Sequence, residues 1–255
     1  MKKIYFICFF ILIGSLISVR NLYSDEIQSK KFYEEARKYE GEGNLEKAIE
    51  FYQKAFENSQ NISFKKTILE LLGQVYRAMK RYEDALQIYQ KYLELASTPF
   101  EEVRGKTAIA YIYVYKGKYS KGLQILEKII EEYHDPQFRA DAIYSKAAIY
   151  HRFIKDYEKA INEYERLIKE FPDDWRVKEE PICLEKIAVC YSKLKKYDDA
   201  IKVYQDIINK YPESEYSKIA KVAIRIINEY EKKGKVPSED DVKKIEEEMG
   251  IKYEE

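Results

Sequence analysis

Glycine and proline are scarce in this chain, nine and six among 255 residues, and no stretch shows the β-branched alternation of a strand. A sheet joined by tight turns is thereby excluded, and the chain reads as almost entirely helical. Net charge is missing as well: 45 basic and 45 acidic side chains cancel. With no bulk field to draw in phosphate backbones or anionic lipid, nucleic acid is not an expected partner. Catalytic motifs are lacking too. There is no glycine-rich phosphate loop, no HExxH, no GxSxG and no paired Ser, His and Asp, so neither an enzyme nor a small-molecule cofactor is expected. Three cysteines, two histidines (His134 and His151) and no CxxC leave little from which to build a metal site.

One aromatic, by contrast, is abundant. Twenty-five residues are Tyr, a middling helix former, so packing rather than propensity must demand it. Aligning the chain on itself shows how. A small residue with a position three later in register recurs at Ala36/Tyr39, Gly73/Tyr76, Ala110/Tyr113, Ala147/Tyr150 and Ala188/Tyr191. A second small position follows at Ala48, Ala85, Gly122, Ala160 and Ala200, with Tyr52, Tyr89, Leu126, Tyr164 and Tyr204 four residues on. Between the two lies a turn, in the stretches "GEGNLEKA", "KRYEDA", "KGKYSKG", "KDYEKA" and "KKYDDA", with Leu45, Tyr82, Tyr119, Tyr157 and Tyr197 just beyond it. Each unit therefore reads as helix, tight turn, helix, with small residues where the helices cross closely and Tyr rings filling the wedge. A single hairpin cannot bury its apolar face alone, so the units must stack on one another. Pro99, Pro136, Pro172, Pro181 and Pro212 fall between units, where Pro can end one helix and begin the next.

Over about residues 29 to 214 this small, aromatic, small, aromatic, proline pattern resembles the tetratricopeptide repeat family. The resemblance implies an all-α, right-handed superhelical solenoid of about five helix-turn-helix repeats, placed at about 29–62, 66–99, 103–136, 140–172 and 181–214. Small residues are spaced by 37, 37, 37 and 41, longer than the roughly 34 of the family. Units ending "EFPDD" and "KYPES" resemble the long-helix repeats of exported bacterial envelope proteins, including outer-membrane assembly lipoproteins and the periplasmic partner of the Tol-Pal system.

Residues 1–24 carry Lys2 and Lys3, an uncharged apolar run over 4–19, then Arg20 and "NLYS". This is the layout of a secretory signal peptide with a cut after Ser24. The run falls short of the roughly 20 residues that cross a hydrocarbon core. Export, and a periplasmic location, is the expectation; the alternative is an uncleaved anchor in the inner membrane over residues 4–19, which alone would bring membrane contact. Cys8 lies near the start of the run, not after a small-residue box at its end, which argues against lipidation. Removing Lys2, Lys3 and Arg20 from the 45 basic residues leaves 42 against 45 acidic ones.

Cys183 and Cys190 sit seven residues apart on one predicted helix, a rise of about 10.5 Å that no disulfide spans. They read as two buried core residues, the alternatives being an intermolecular bridge or a metal. The fifth unit follows three extra residues around "DDWRVKEEP", where Trp175 either packs on a neighbouring repeat or meets a partner, and one extra residue precedes Tyr157, which predicts a local offset. Residues 215–234 read as a capping helix with Ile219, Val222, Ile226 and Tyr230 on one face. Residues 235–255 read as a charged tail containing a short helix, with a capping box at Ser238 and Asp241 and with Val242, Ile245 and Met249 at helical spacing. It folds back, docks elsewhere, or stays solvated; its charge favours the last.

The resemblance implies a concave groove lined by the first helix of each unit. Projection by three and four residues gives Lys30, Tyr33 and Arg37, then Glu70, Gln74 and Arg77, then Arg104, Thr107, Tyr111 and Tyr115, then Tyr144, His151 and Arg152, then Glu185 and Lys193. Tyr33, Arg37, Gln74, Arg77, Arg104, Tyr111, Tyr115, Tyr144, His151 and Arg152 are the candidate contacts, since Tyr and Arg dominate protein interfaces. The terminal-carboxylate clamp of chaperone adaptors is not expected, because Tyr33, Arg37, Leu71, Arg104 and Ala108 stand where mainly Lys, Asn and Arg would. The expected function is an exported scaffold holding a peptide or partner protein in its groove, in envelope assembly or quality control. Self-association without a groove ligand is the alternative, and a carbohydrate groove a third reading.

Overall fold

The computed structural model describes residues 24–248. The signal-peptide reading, with Cys8, falls outside the described residues except for Ser24, as do Met249 and the end of the tail. Among the described residues there is no strand and no helix long and apolar enough to cross a membrane. The chain divides into two compact units, Met1–Lys118 and Tyr119–Glu255.

The first unit holds α1 (24–41), α2 (Leu45–Asn58), α3 (Ile62–Ala78), α4 (Tyr82–Leu95) and α5 (Pro99–Tyr115). At the starts of α2, α3 and α5 a side chain satisfies an orphan amide: Asn44 accepts from the Lys47 N–H, the Asn61 side-chain carbonyl oxygen from the Phe64 N–H at 3.0 Å, and the Thr98 hydroxyl oxygen from the Glu101 N–H, with Pro99 as the first helical residue of α5. Three turns share one construction. The carbonyls of Tyr39, Tyr76 and Tyr113 accept from the N–H five residues on, at 2.9, 2.8 and 2.8 Å. Left-handed residues make this possible, Gly43, Lys80 and Gly117, at φ +76°, +60° and +74°. Ala36, Ala48 and Ala85 are wholly buried where helices cross, around a core of Tyr52, Ile68, Leu69, Leu72, Val75, Ile88, Tyr89 and Ile112. Buried Tyr hydroxyls find partners: Tyr52 donates to Glu40 at 2.6 Å, and Tyr76 accepts from Gln53 at 3.2 Å.

The second unit holds α6 (Tyr119–Glu132), α7 (Pro136–Ile149), α8 (Tyr157–Glu170), α9 (Trp175–Lys178), α10 (Ile182–Lys193), α11 (Tyr197–Lys210), α12 (Glu215–Glu229) and α13 (Glu239–Glu248). The extra residue before Tyr157 is absorbed as one π-helical turn, Tyr150–Ile154, closed by left-handed Lys155 and by the Asp156 N–H reaching the Tyr150 carbonyl at 3.1 Å. The stretch around Trp175 with the three extra residues contains α9. Asp174 caps it, and buried Arg176 holds it by pairing with Asp174 at 2.7 Å and with Asp141 of α7 at 2.9 Å. Trp175 itself remains 45% exposed. Cys183 and Cys190 are both fully buried on α10, and burial pushes each thiol up to about 12.

A sixth hairpin turn, the fifth of the shared type, follows α12. The Tyr230 carbonyl accepts from the Lys235 N–H at 3.0 Å, one residue after left-handed Gly234, as the Tyr191 carbonyl does from Lys196 after left-handed Lys195. Of the three readings of the tail, folding back describes residues 239–248: α12 and α13 form a further hairpin. Ile245 is 2% exposed, the Tyr230 hydroxyl donates to Asp241 at 3.0 Å, and Ser238 and Asp241 cap each other reciprocally at 2.9 and 3.2 Å.

Candidate functional site

The candidate site grows out of a missing methyl group. Gly73 is the one glycine among the five first small positions, and a Cβ there would meet the Tyr89 ring at 2.6 Å. The ring from α4 therefore lies over the α3 backbone, and its hydroxyl donates to the Glu70 carbonyl at 3.4 Å. Burial pushes the Tyr89 phenol up to about 12, so it stays a neutral donor. Beside it, Glu70, Gln74 and Arg77 rise at i, i+4 and i+7 along α3, opposite Arg104, Thr107, Ala108 and Tyr111 at the same kind of spacing along α5. Together with Tyr89 they line a pocket of about 240 Å³.

Charge in this pocket is arranged unequally. Arg104 is fixed on Glu70, its Nε 2.9 Å from the carboxylate, and its guanidinium lies 5.9 Å from the Phe100 ring. Gln74 donates to the same carboxylate at 3.5 Å. Arg77 lies over the Tyr115 ring at 5.5 Å, and that ring stacks in turn on Tyr82, 6.4 Å away and 5° from parallel. The remaining candidates of this unit lie apart from the pocket lining. Tyr33 is half-buried, its ring 5.2 Å from Phe64 and 6.0 Å from Tyr52, and Arg37 pairs with Glu40 at 2.9 Å. Sequence projection missed Tyr89 because it belongs to the second helix of its hairpin; the Gly73 break in an alanine series was the available signal.

In the second unit Tyr144 is half-buried, edge-on to Tyr164 at 5.8 Å and under the Arg176 guanidinium at 5.0 Å. His151 sits in the π turn against Tyr157 at 6.0 Å; burial lowers its pKa, helped by Lys186 and Arg152, so it is neutral at pH 7. Arg152 is exposed. Nearby, buried Lys146 bridges Glu127 and Glu163, the latter at 2.8 Å; burial acts to lower its pKa, but the two carboxylates outweigh it and the net shift is upward. Among the described residues no three His, Cys, Asp or Glu side chains are grouped to hold a metal ion.

Models of the tetratricopeptide repeat match residues 33–98, 141–174 and 183–214, together more than half of the chain. The chain belongs to the tetratricopeptide repeat family. Solved structures agree on the fold. Aspartyl phosphate phosphatase F from Bacillus subtilis superposes with a TM-score of 0.68 at 14% identity, covering 94% of this chain and 64% of that one. The apo form of RapI gives 0.59 at 17% identity, covering 88% and 64%. A Rap protein complexed with competence and sporulation factor gives 0.56 at 16%, again covering 88% and 64%. The chain thus spans somewhat less than two thirds of the length of these structures, and at such identities the likeness concerns the fold. A search of curated proteins finds no match. As a tetratricopeptide array the chain is a scaffold for protein interaction.

Proposed function

We propose that this tetratricopeptide protein is an exported scaffold that holds a peptide or partner protein in the groove between α3 and α5 of its first unit, and works in assembly or quality control of the cell envelope. The α3/α5 pocket carries the reading: two arginines, two tyrosines, an amide and a hydroxyl converge there from α3, α5 and the intervening α4. Tyr and Arg give the largest contact energies per residue at protein interfaces, and Gln and Thr can bond an extended main chain. Export rests on the sequence of residues 1–24, and a Rap protein of the same fold that has been solved with competence and sporulation factor adds support for ligand binding on such a frame. Catalysis has no support in the residues of the groove.

The test is a cross-linked pull-down from envelope extract with the full chain, run beside a Gln74→Ala, Arg77→Ala, Tyr111→Ala triple variant whose helical content is checked by circular dichroism. One protein recovered by the parent and at least about tenfold depleted with the folded variant is the expected result, given hot-spot losses of about 1–2 kcal/mol per side chain. Equal recovery by both would count against the groove, and recovery of the chain alone would favour self-association.

A further inference from the structure

We propose that the α3/α5 pocket takes an acidic segment of a partner protein, one side-chain carboxylate of that segment pairing with the Arg77 guanidinium; this rests on the groove reading above. Four arginines are described in the first unit. Arg37 is paired with Glu40, Arg81 with Asp84 at 2.8 Å and Arg104 with Glu70. Arg77 is the exception: among the described residues no carboxylate lies within ion-pair distance of it, and its guanidinium rests on the Tyr115 ring. The one carboxylate in the pocket wall, Glu70, is already engaged by Arg104 and Gln74. The wall therefore carries an uncompensated positive charge, although the whole chain has none.

Geometry favours a carboxylate over other anions. A guanidinium forms two parallel bonds with a carboxylate, and its contact with the Tyr115 ring at 5.5 Å already restrains the Arg77 side chain, so less side-chain freedom is lost on binding. At about 240 Å³ the pocket is smaller than the roughly 300–1,000 Å³ of small-molecule sites, and it suits one or two side chains of a longer chain. Tyr89 and Tyr111 offer surface to the methylene stem of an acidic residue, while Gln74 and Thr107 offer polar groups to its main chain.

Three fluorescent peptides decide the matter by anisotropy with the full chain: a capped peptide alternating Glu and Ala, its capped Gln counterpart, and the Gln peptide with a free carboxyl end. The acidic peptide is expected to bind about tenfold more tightly than either Gln peptide, with the margin shrinking in about 0.5 M salt. Arg77→Gln should erase most of that margin, Arg77→Lys should keep part of it, and Arg81→Gln, outside the pocket lining, should leave it unchanged; thermal melts verify that each variant is folded. Equal binding of the two capped peptides, or no effect of Arg77→Gln, overturns the inference. Preference for the free carboxyl end overturns it in favour of chain-end recognition, and binding of none of the three overturns it outright. In each of those cases the pull-down, which does not depend on peptide composition, still judges the groove reading separately.

Discussion

A single carboxylate shows how much one residue can do in this fold. Glu101, near the start of α5, accepts hydrogen bonds from the Lys66 ammonium of α3 and from the Ser97 N–H at 2.8 Å and hydroxyl at 3.2 Å. Lys66 first, then the Ser97 amide, hold its pKa at about 2. The folded value lies below the roughly 4.3 of an unfolded Glu. Its contribution to stability is therefore complete above that unfolded value and is lost as pH falls through about 2. Glu101→Gln should melt below the parent at pH 7, and the two melting curves should converge between about pH 4.3 and pH 2. A gap that stays constant with pH would assign the loss to packing. Residues at this scale were unevenly legible. Arg77, Arg104 and Tyr111 could be placed on one face because helical spacing alone does it, whereas the pairing of Glu70 with Arg104, which leaves Arg77 unmatched, depends on how two helices meet and could not be read from spacing.

Turns are the elements that give the chain its regularity, and they were only half visible. Gly43 and Gly117 announce left-handed positions. Lys80, Lys155 and Lys195 adopt the same conformation at φ +60°, +61° and +59° with a Cβ that disfavours it. Sequence could not reveal them because Lys is ordinarily a helix former; only alignment with the glycines places them. Lys80→Gly should relieve this strain and raise stability by about 1 kcal/mol, while Gly117→Ala should lower it by a similar amount. Urea denaturation followed by circular dichroism checks both. Opposite signs are the expected result, and two losses would mean that the Lys80 side chain contributes more than its backbone costs. The extra residue before Tyr157 was legible as a count, but its form as a π turn was not, because the same insertion could have lengthened the loop.

Across the whole molecule the sequence announced five hairpins and the structure contains a sixth turn. It stayed hidden because Ile227 stands where the other units have a small residue before the aromatic, and because no second small position follows. Hairpin stability in such arrays is largely the sum of neighbouring interfaces, so a terminal hairpin should open first. Among the described side chains of α13 the interface rests on buried Ile245, together with Tyr230 to Asp241 and the Arg225 pairing with Glu248. Ile245→Asp places a charge in that contact, a change that should cost about 2–4 kcal/mol of local stability. Hydrogen exchange measured by mass spectrometry should then show α13 amides exchanging at the rate of an open helix and those of α12 accelerated, with α3 and α4 unaltered. Unchanged exchange in α12 would mean that α13 merely rests on the array, and that α10 and α11 suffice to hold α12.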